Sequence, residues 1–448
     1  MVDAMVNSVE DYLIDGLSFK LSPGASYVTD RRSVAYYTAG ANEYTSGTGS
    51  KVARINVTGD GWLDPSTVRV SYTLENTDGV ANHNLRPLSG PWCFFRRARC
   101  MVGGAIVDDI DYYNRVHEML HILTSTNNRD NDDVEGFGDR WDDERVYFKN
   151  SEYITGLPPN ESRAVTFKPL FGIMNQPKYI PLSWCPLTLE FEVDSSNNPV
   201  VSGGVSYNNN VSTSWKIKDI RILCDVVTLD SALQNSYAEH VLAGKALPIN
   251  YGTYISQFQS LGTDTSNFSV TVTRAVSRLK SMFINFDRAH GLTSENDGSR
   301  TAVNSFVHPM FMADYSAGAY NFDKELQWQV QIGSKLFPEF PCTSLAQTFY
   351  QLKKALGIHG SAFHSIAIGP GEYRNDHFII GIDTEKILEA GFTGLNSRAG
   401  DLMVVRGKAA NGGNLNHSAT VPWANSIYII LHTDQILEIR DTGSQVFD

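Results

Sequence analysis

The segment Met101–Met119 recurs without a gap 230 residues further along the chain. Apolar residues and a turn glycine coincide in the two copies: Val102 with Ile332, Gly103 with Gly333, Ile106 with Leu336, Val107 with Phe337, Ile110 with Phe340, Val116 with Ala346 and Met119 with Phe349. Each copy has the pattern of a strand, a Gly turn, a short strand and a helix. The offset is close to half of the 448 residues, so the sequence predicts two similarly folded units in tandem.

Alternation of apolar and polar residues with a period of two indicates that strands make up most of both units. The clearest runs, each with one apolar face, are Val68–Leu74, Leu187–Val193 and Leu326–Ile332; shorter candidates are Phe378–Ile382 and Ile427–Leu431. Within Trp215–Leu223 the apolar positions change phase between Ile217 and Ile220, which predicts a β-bulge.

Helical periodicity is convincing in three places, residues 111–124, 230–244 and 344–357. The second and third open with Ser231 and Ser344, each followed three residues later by Gln, which is the capping-box spacing, and each ends at Gly. Many strands, few helices and no βαβ alternation predict an all-β chain of jelly-roll sandwiches and argue against a Rossmann or TIM-barrel fold.

The first helix contains His117-Glu118-Met119-Leu120-His121, a match to the zinc-hydrolase motif HExxH. This spacing places both imidazoles on one face, where they can share a Zn²⁺, and Glu118 would then be the general base. Thr124 stands where one class of zinc protease has Gly, and the matching helix of the second unit carries no ligands. We therefore interpret the motif as a packing helix and keep zinc chemistry as an alternative.

We interpret two charged clusters as ordinary charged segments and not as binding sites. Residues 130–144 hold eight acids that loosely match the spacing of an EF-hand, but the first and twelfth positions do not fit, so we expect a solvated loop, with a cation site as the alternative. In Arg96-Arg97-Ala98-Arg99, strand geometry places Arg97 and Arg99 on one face and Arg96 on the other, which does not make a basic patch.

Composition and missing signatures narrow the class of protein. The 37 Lys plus Arg and 49 Asp plus Glu give a net charge of −12 without a basic cluster, which disfavours direct nucleic-acid binding. The chain has no run of 18 apolar residues, so we expect no membrane-spanning helix, and residues 1–10 lack the pattern of a secretory signal. Five cysteines without CxxC spacing predict free buried thiols, and no phosphate-loop, GxGxxG or GxSxG signature is present. We predict no catalytic residue, metal or cofactor.

Two longer segments resemble a known family. Residues 88–120, which include Trp92, Arg96-Arg97 and "YNRVHEM", and residues 330–357 are similar to the first- and second-domain signatures of the major capsid proteins of Polinton-like viruses and related virophage- and adintovirus-like DNA viruses. Together they cover about 60 residues, one segment in each half and in the expected order. In this family the HExxH match belongs to an ordinary helix.

The resemblance implies a double jelly roll, with two eight-stranded sandwiches side by side. We expect residues 1–230 to form the first, with 1–15 as an N-terminal arm, residues 231–247 a junction helix, and 248–448 the second. It also implies a non-enzymatic homotrimer with a pseudo-hexagonal outline that tiles an icosahedral virion, contacts neighbouring capsomers and meets penton and minor capsid proteins, after synthesis and assembly in a host cell. Membrane contact stays open.

Two other functions stay open beside the capsid protein. The first is a zinc-dependent hydrolase that uses His117, Glu118 and His121. The second is a carbohydrate-binding β-sandwich adhesin, because 20 Tyr, 7 Trp and 22 Phe would allow aromatic platforms for sugars.

Overall fold

The structure is a computed structural model that describes residues 28–47, 51–137, 156–195, 197–200, 211–261, 267–288, 306–309, 325–360, 366–375, 377–388, 391–398, 401–409, 416–418, 421–422 and 424–448. The expected N-terminal arm, residues 1–15, lies outside this part of the chain. Strands dominate both halves, as the period-two alternation predicts.

The first half contributes twelve described strands: β1 (Val28–Tyr37), β2 (Glu43–Tyr44), β3 (Val52–Val57), β4 (Trp62–Asn76), β5 (Asn84–Leu85), β6 (Phe95–Val102), β7 (Ala105–Asp111), β8 (Ser162–Phe167), β9 (Ile180–Pro181), β10 (Leu187–Val193), β11 (Val211–Ser212) and β12 (Trp215–Leu229). Eight of them form two facing antiparallel sheets, in the orders β1-β12-β4-β8 and β3-β10-β6-β7. Short strands β2 and β9 extend the first sheet, and β5 pairs with β11.

The second half contributes the remaining described strands: β13 (Leu247–Ser260), β14 (Asn267–Val272), β15 (Leu279–Arg288), β16 (Leu326–Ile332), β17 (Lys335–Cys342), β18 (Ile379–Asp383), β19 (Met403–Ala409), β20 (Asn416–Ser418), β21 (Val421–Pro422), β22 (Ala424–Arg440) and β23 (Gly443–Phe447). The sheets run β13-β22-β15-β18 and β14-β19-β16-β17, while β23 adds to β22.

The strand orders identify the topology. When the eight principal strands of each half are counted along the chain, one sheet carries the first, eighth, third and sixth, and the other the second, seventh, fourth and fifth. This is the order of a jelly roll, in which two Greek keys wrap around one sandwich. Because both halves have it, the chain contains two jelly rolls of the same topology.

The internal repeat corresponds to one structural unit in each jelly roll. Val102 pairs with Ala105 across the first hairpin, and Ile332 pairs with Lys335 across the second, which preserves the offset of 230. Gly103 and Gly333 both have positive φ, 55° and 59°, so the turn requires glycine at the same place in each copy.

Aromatic side chains join the sheets inside each sandwich. In the first, Tyr72 of β4 meets Phe95 of β6 edge-to-face, with ring centroids 5.6 Å apart, and its hydroxyl donates to the carbonyl of Pro91. In the second, Phe268 of β14 meets Phe286 of β15 at 5.5 Å. Each buried Phe contributes about 1.5–3 kcal/mol relative to an exposed one, so these faces hold the sheets together.

The predicted bulge is confirmed. The register of β12 against β4 shifts between Lys218 and Arg221, and Asp219 has a φ of 54°. All five cysteines are free and buried, as predicted.

Among the described residues there are five α-helices: α1 (Tyr113–Ile122), α2 (Thr126–Glu135), α3 (Ser231–Leu242), α4 (Leu345–Ala355) and α5 (Pro370–Asn375). The three predicted helices are α1, α3 and α4. The predicted cap of α4 is confirmed, because Ser344 Oγ accepts from the Gln347 amide at 3.2 Å. For α3 the predicted cap is wrong: Asp230 is the N-cap, and its carboxylate accepts from the Ala232 amide at 3.0 Å.

The expectation of a loop over residues 130–144 is wrong for its described part. Residues up to Glu135 belong to α2, which Ser125 caps by accepting from the Asn128 amide and which ends before Gly136. Residues 138–144 lie outside the described part. The helical backbone does not make the tight loop that an EF-hand needs, so the EF-hand spacing here is accidental. No helix in the described part of the chain is long and apolar enough to cross a membrane.

Candidate functional site: the junction between the two jelly rolls

The HExxH residues of α1 all contact one aromatic side chain, Trp92. The His117 ring stacks on the indole at 4.1 Å between centroids, and the His121 ring lies 4.7 Å from it. The indole Nε1 donates to the Glu118 carboxylate at 3.0 Å. Trp92 therefore occupies the side of the helix on which the motif would hold and activate a metal-bound water.

Hydrogen bonds within this cluster also disfavour zinc chemistry. Burial lowers the pKa of His117 to about 4, so the ring is neutral at pH 7, which is also the form in which imidazole binds metals, and its Nε2 lies 3.2 Å from the carbonyl oxygen of Lys168. His117 Nδ1 and His121 Nε2 have no hydrogen-bond partner, but Glu118 is already bound to the indole. No group of three or more His, Cys, Asp or Glu side chains in the described residues has a metal-binding arrangement. The donor set does not fit a catalytic zinc, and nothing in this geometry supports the hydrolase.

The arginine cluster of β6 is neutralised within its own sheet. Arg97 makes a bidentate pair with Asp109, at 2.8 and 2.7 Å, and Arg99 Nε lies 3.6 Å from the same carboxylate. Arg96 instead lies 4.0 Å from Asp111 and from Glu192. These carboxylates leave no basic patch on this sheet, as the sequence predicts.

Arg115 of α1, two residues before His117, connects this helix to the second half of the molecule. Its Nε donates to Asn285 Oδ1 at 2.9 Å and one of its terminal nitrogens donates to the carbonyl of Phe286 at 2.8 Å. Its other terminal nitrogen lies 3.9 Å from Asp287. All of these acceptors belong to β15 of the second jelly roll.

Aromatic rings complete the enclosure of this guanidinium, which is 2% exposed. Its carbon lies 4.2 Å from the centroid of Tyr428 and 4.7 Å from that of Phe306. Arg suits such a site because its planar fork stacks on rings while its edge donates. Around it, Tyr112 of the first half contacts Phe258 and Tyr428 of the second at 5.4 and 5.2 Å.

A second buried ionisable side chain, Asp108 of β7, lies at the same junction. Its carboxylate accepts from the amides of Gly172 and Ile173, at 3.1 and 3.3 Å, and from the hydroxyl of Thr253 in β13. Removal from water raises the pKa of Asp108 to about 7, while the three donors act in the opposite direction. The carboxylate thus joins β7 and the turn at residues 172–174 to the second jelly roll.

Close backbone contact surrounds this carboxylate. A Cβ on Gly172 would lie 1.8 Å from the carbonyl oxygen of Gly252, so only glycine fits at this crossing. The Tyr251 hydroxyl lies 3.0 Å from the Val107 carbonyl and 2.7 Å from Gln435 Oε1. The linking helix α3 adds a further contact, because Trp62 Nε1 donates to Gln234 at 2.7 Å.

The junction therefore contains two buried ionisable side chains, several hydrogen bonds and a glycine crossing, which hold the jelly rolls in one orientation. Sequence reasoning missed Arg115 and Asp108 as contacts between the halves. The available signal was their place inside the repeat, where Arg115 coincides with Leu345 and Asp108 with Pro338. A charged residue that occurs in one copy and not in the other is not needed for the fold that both copies share, so it indicates another role, such as a contact between the halves.

The chain is similar to solved structures of viral proteins. The chain has a TM-score of 0.57 and 13% identity to VP54 of PBCV-1, described as fitted into a cryo-EM reconstruction of the virophage Sputnik, over 96% of this chain and 99% of that one. A chain of the Sputnik virophage structure gives 0.56 and 9%, over 96% and 90%. The Faustovirus major capsid protein gives 0.55 and 9%, over 94% and 92%.

The chain has the double jelly-roll fold. The match extends over nearly the whole length of each relative, so both sandwiches and their tandem order are shared. No protein-family model matches the sequence, and no curated protein sequence matches it significantly. The double jelly roll is thus recognisable from structure at identities near 10%.

Proposed function

We propose that this protein is a major capsid protein, whose homotrimers form pseudo-hexameric capsomers that tile an icosahedral virion shell. The observation that carries the proposal is a double jelly roll aligned over 96% of the chain with VP54 of PBCV-1. The alignment with the Faustovirus major capsid protein supports it as well. Residues 1–230 and 248–448 would be the two jelly-roll domains, and residues 231–247 the helical connection.

The junction suits a shell subunit. Arg115 and Asp108 fix the two sandwiches against each other through buried contacts, so one chain can present two adjacent jelly rolls as a rigid block. Three such chains supply six jelly rolls, which gives a nearly hexagonal outline. A closed ring of this kind repeats one pair of complementary surfaces three times.

The remaining assignments follow from the same role. The protein would be structural and non-catalytic, would be synthesised and assembled in a host cell, and would contact neighbouring capsomers together with penton and minor capsid proteins. Its net charge of −12 favours contacts with other proteins over direct packaging of the genome.

The test is the mass and shape of the purified native protein. Light scattering should give about three times the chain mass of 49.6 kDa, and negative-stain images of the same fraction should show a hexagonal outline. A protein that stays monomeric at every concentration, alone and with co-expressed capsid partners, would contradict the proposal.

A further inference from the structure

The strand–turn–strand–helix unit occurs twice in the chain, but its apolar residues are buried more completely in the first copy than in the second. In the first copy, four apolar residues of β7 and α1 are enclosed: Val107, Ile110, Val116 and Met119 are at most 2% exposed, whereas Ile106 stays 51% exposed. In the second copy the matching residues are Phe337, Phe340, Ala346 and Phe349; Phe340 is 57% exposed, Ala346 is exposed, and the other two are half-buried. Equivalent positions that are apolar in both copies therefore differ in what covers them.

For β7, the cover of the first copy comes from the second jelly roll. Residues of β13 contact β7 through Tyr251, which reaches the Val107 carbonyl, Thr253, which donates to Asp108, and Ser256, which donates to the Asp111 carbonyl. Strand β13 is the first strand of its jelly roll and the edge of its sheet, paired with β22. The contact in the chain is thus the edge strand of one jelly roll seated on the unit of the preceding one.

The first jelly roll has a strand equivalent to β13. Strand β1 is likewise first in order, lies at the edge of its sheet and pairs with the last principal strand, β12. Its residues are exposed except for two half-buried positions, and Tyr37 is 61% exposed. Among the described residues, β1 and β17 are thus both strands whose residues are mostly exposed.

We propose that the unit of the second jelly roll, β17 with α4, binds the β1 side of the first jelly roll in a second copy of this chain, in the same way that β7 contacts β13 and α1 contacts β15 within one chain. Phe340 and Tyr350, which are 57% and 51% exposed, provide the apolar surface on one side, and Val28 and Tyr37 on the other. This inference rests on the proposed function, because it names the surfaces through which the capsomer closes.

The geometry of the repeat selects a second copy as the occupant. One rotation and translation carries the first jelly roll of the chain onto the second. If the same operation is repeated, the next jelly roll that it places against the second is the first jelly roll of another chain. Such a contact joins two different surfaces head to tail and closes into a ring when its rotation divides a full turn. Because each chain makes one of these steps internally, the ring holds two jelly rolls for each chain, and the proposed trimer would hold six.

One experiment disrupts the contact. Phe340→Asp places a charge in the proposed surface and should convert the oligomer of about three chains into monomers by light scattering, with unchanged circular dichroism. Tyr37→Asp should do the same from the opposite surface, which keeps the test valid if one variant misfolds. Val134→Asp is the matched control, because Val134 is an apolar residue of α2 that is 80% exposed outside both surfaces.

A second experiment identifies the pairing directly. The five native cysteines are buried, so introduced thiols at exposed positions react selectively with a short bismaleimide. The double variant Tyr37→Cys/Phe340→Cys should give covalent dimers and trimers on a denaturing gel, whereas Tyr37→Cys/Val134→Cys and each single variant should stay monomeric. Covalent dimers from Phe340→Cys alone would show a symmetric contact and overturn the inference.

The outcomes separate the two proposals. A native trimer that survives both aspartate substitutions overturns the inference and leaves the capsomer proposal standing. A native protein that never associates overturns both.

Discussion

Replacing Arg115 by Met tests whether the junction between the jelly rolls holds the molecule together. Met keeps most of the volume of the side chain and removes the guanidinium. The change leaves Asn285 Oδ1 and the Phe286 carbonyl without their donor and the Asp287 carboxylate without its nearby cation, all in the interior.

The magnitude follows from the burial of these groups. Removing one partner of a buried charge pair costs about 3–5 kcal/mol, because the remaining charge stays away from water without compensation. Each orphaned acceptor alone costs about 1–3 kcal/mol, so the same range is reached from the hydrogen bonds. We expect Arg115→Met to lower the free energy of unfolding by about 3–5 kcal/mol.

The assay is urea denaturation followed by tryptophan fluorescence, since Trp62 and Trp92 lie near the junction. Arg54→Met is the control: Arg54 also pairs with a carboxylate, that of Glu190, but its side chain is 61% exposed. Exposed pairs contribute about 0–1 kcal/mol, so this variant should shift the midpoint little. Equal, small shifts for the two variants would refute the view that the buried arginine stabilises the junction.

Three further predictions concern the junction and the HExxH helix. The pKa of Asp108 is raised from 3.8 to about 7 in the folded protein, so the folded state binds this proton more tightly than the unfolded state does. The contribution of this group to the free energy of unfolding should therefore fall as pH rises from about 4 through 7. The urea midpoint should be lower at pH 8 than at pH 5, and Asp108→Asn should lack this difference. Gly172→Ala should destabilise by about 1–3 kcal/mol or more through its clash with the Gly252 carbonyl, whereas Gly79→Ala, with open space, should stay near wild type in thermal melts. Purified protein should hold substoichiometric zinc by elemental analysis, and EDTA should not shift the melting temperature, because Trp92 engages the motif; a chelator-induced drop would contradict this.

Local patterns in the sequence predicted the parts of the fold that depend on local chemistry. The alternation in Leu326–Ile332 and Leu187–Val193 reproduces β16 and β10, because half-buried strands need one apolar face. The phase change near Ile217 locates the bulge of β12 for the same reason. The repeat predicted the tandem architecture because both copies must build the same hairpin and helix.

Errors arose where a polar sequence still forms a helix. Helix α2 contains Asp, Asn and Glu almost throughout, so no apolar periodicity marks it, and only the cap at Ser125 and the stop at Gly136 define it. For α3, Asp230 and Ser231 are adjacent and both are good caps, so composition alone could not choose between them. Such boundaries depend on which side chain reaches the first amides.

The junction was out of reach because its partners are distant in sequence. Arg115 meets Asn285 across 170 residues and Asp108 meets Thr253 across 145, and nothing in either segment marks the other. The HExxH match shows the converse problem, since the spacing of a metal site appeared where packing on Trp92 decides the role of each side chain. A motif fixes only which residues share a helix face.

The two copies of the repeat differ in the chemistry of their outer surfaces. In the first copy, Asp108 and Arg115 make buried polar contacts with the second jelly roll. The same positions in the second copy are Pro338 and Leu345, beside the exposed Phe340. A contact within one chain forms at high effective concentration and can include desolvated charges, which fix orientation although their burial is costly. A contact between separate chains must form from surfaces that are exposed before association. Apolar side chains suit such a surface because their removal from water favours association, and they leave no charge unpaired in the free chain. The polar junction and the apolar surface therefore correspond to a permanent contact and to one that forms later, on assembly.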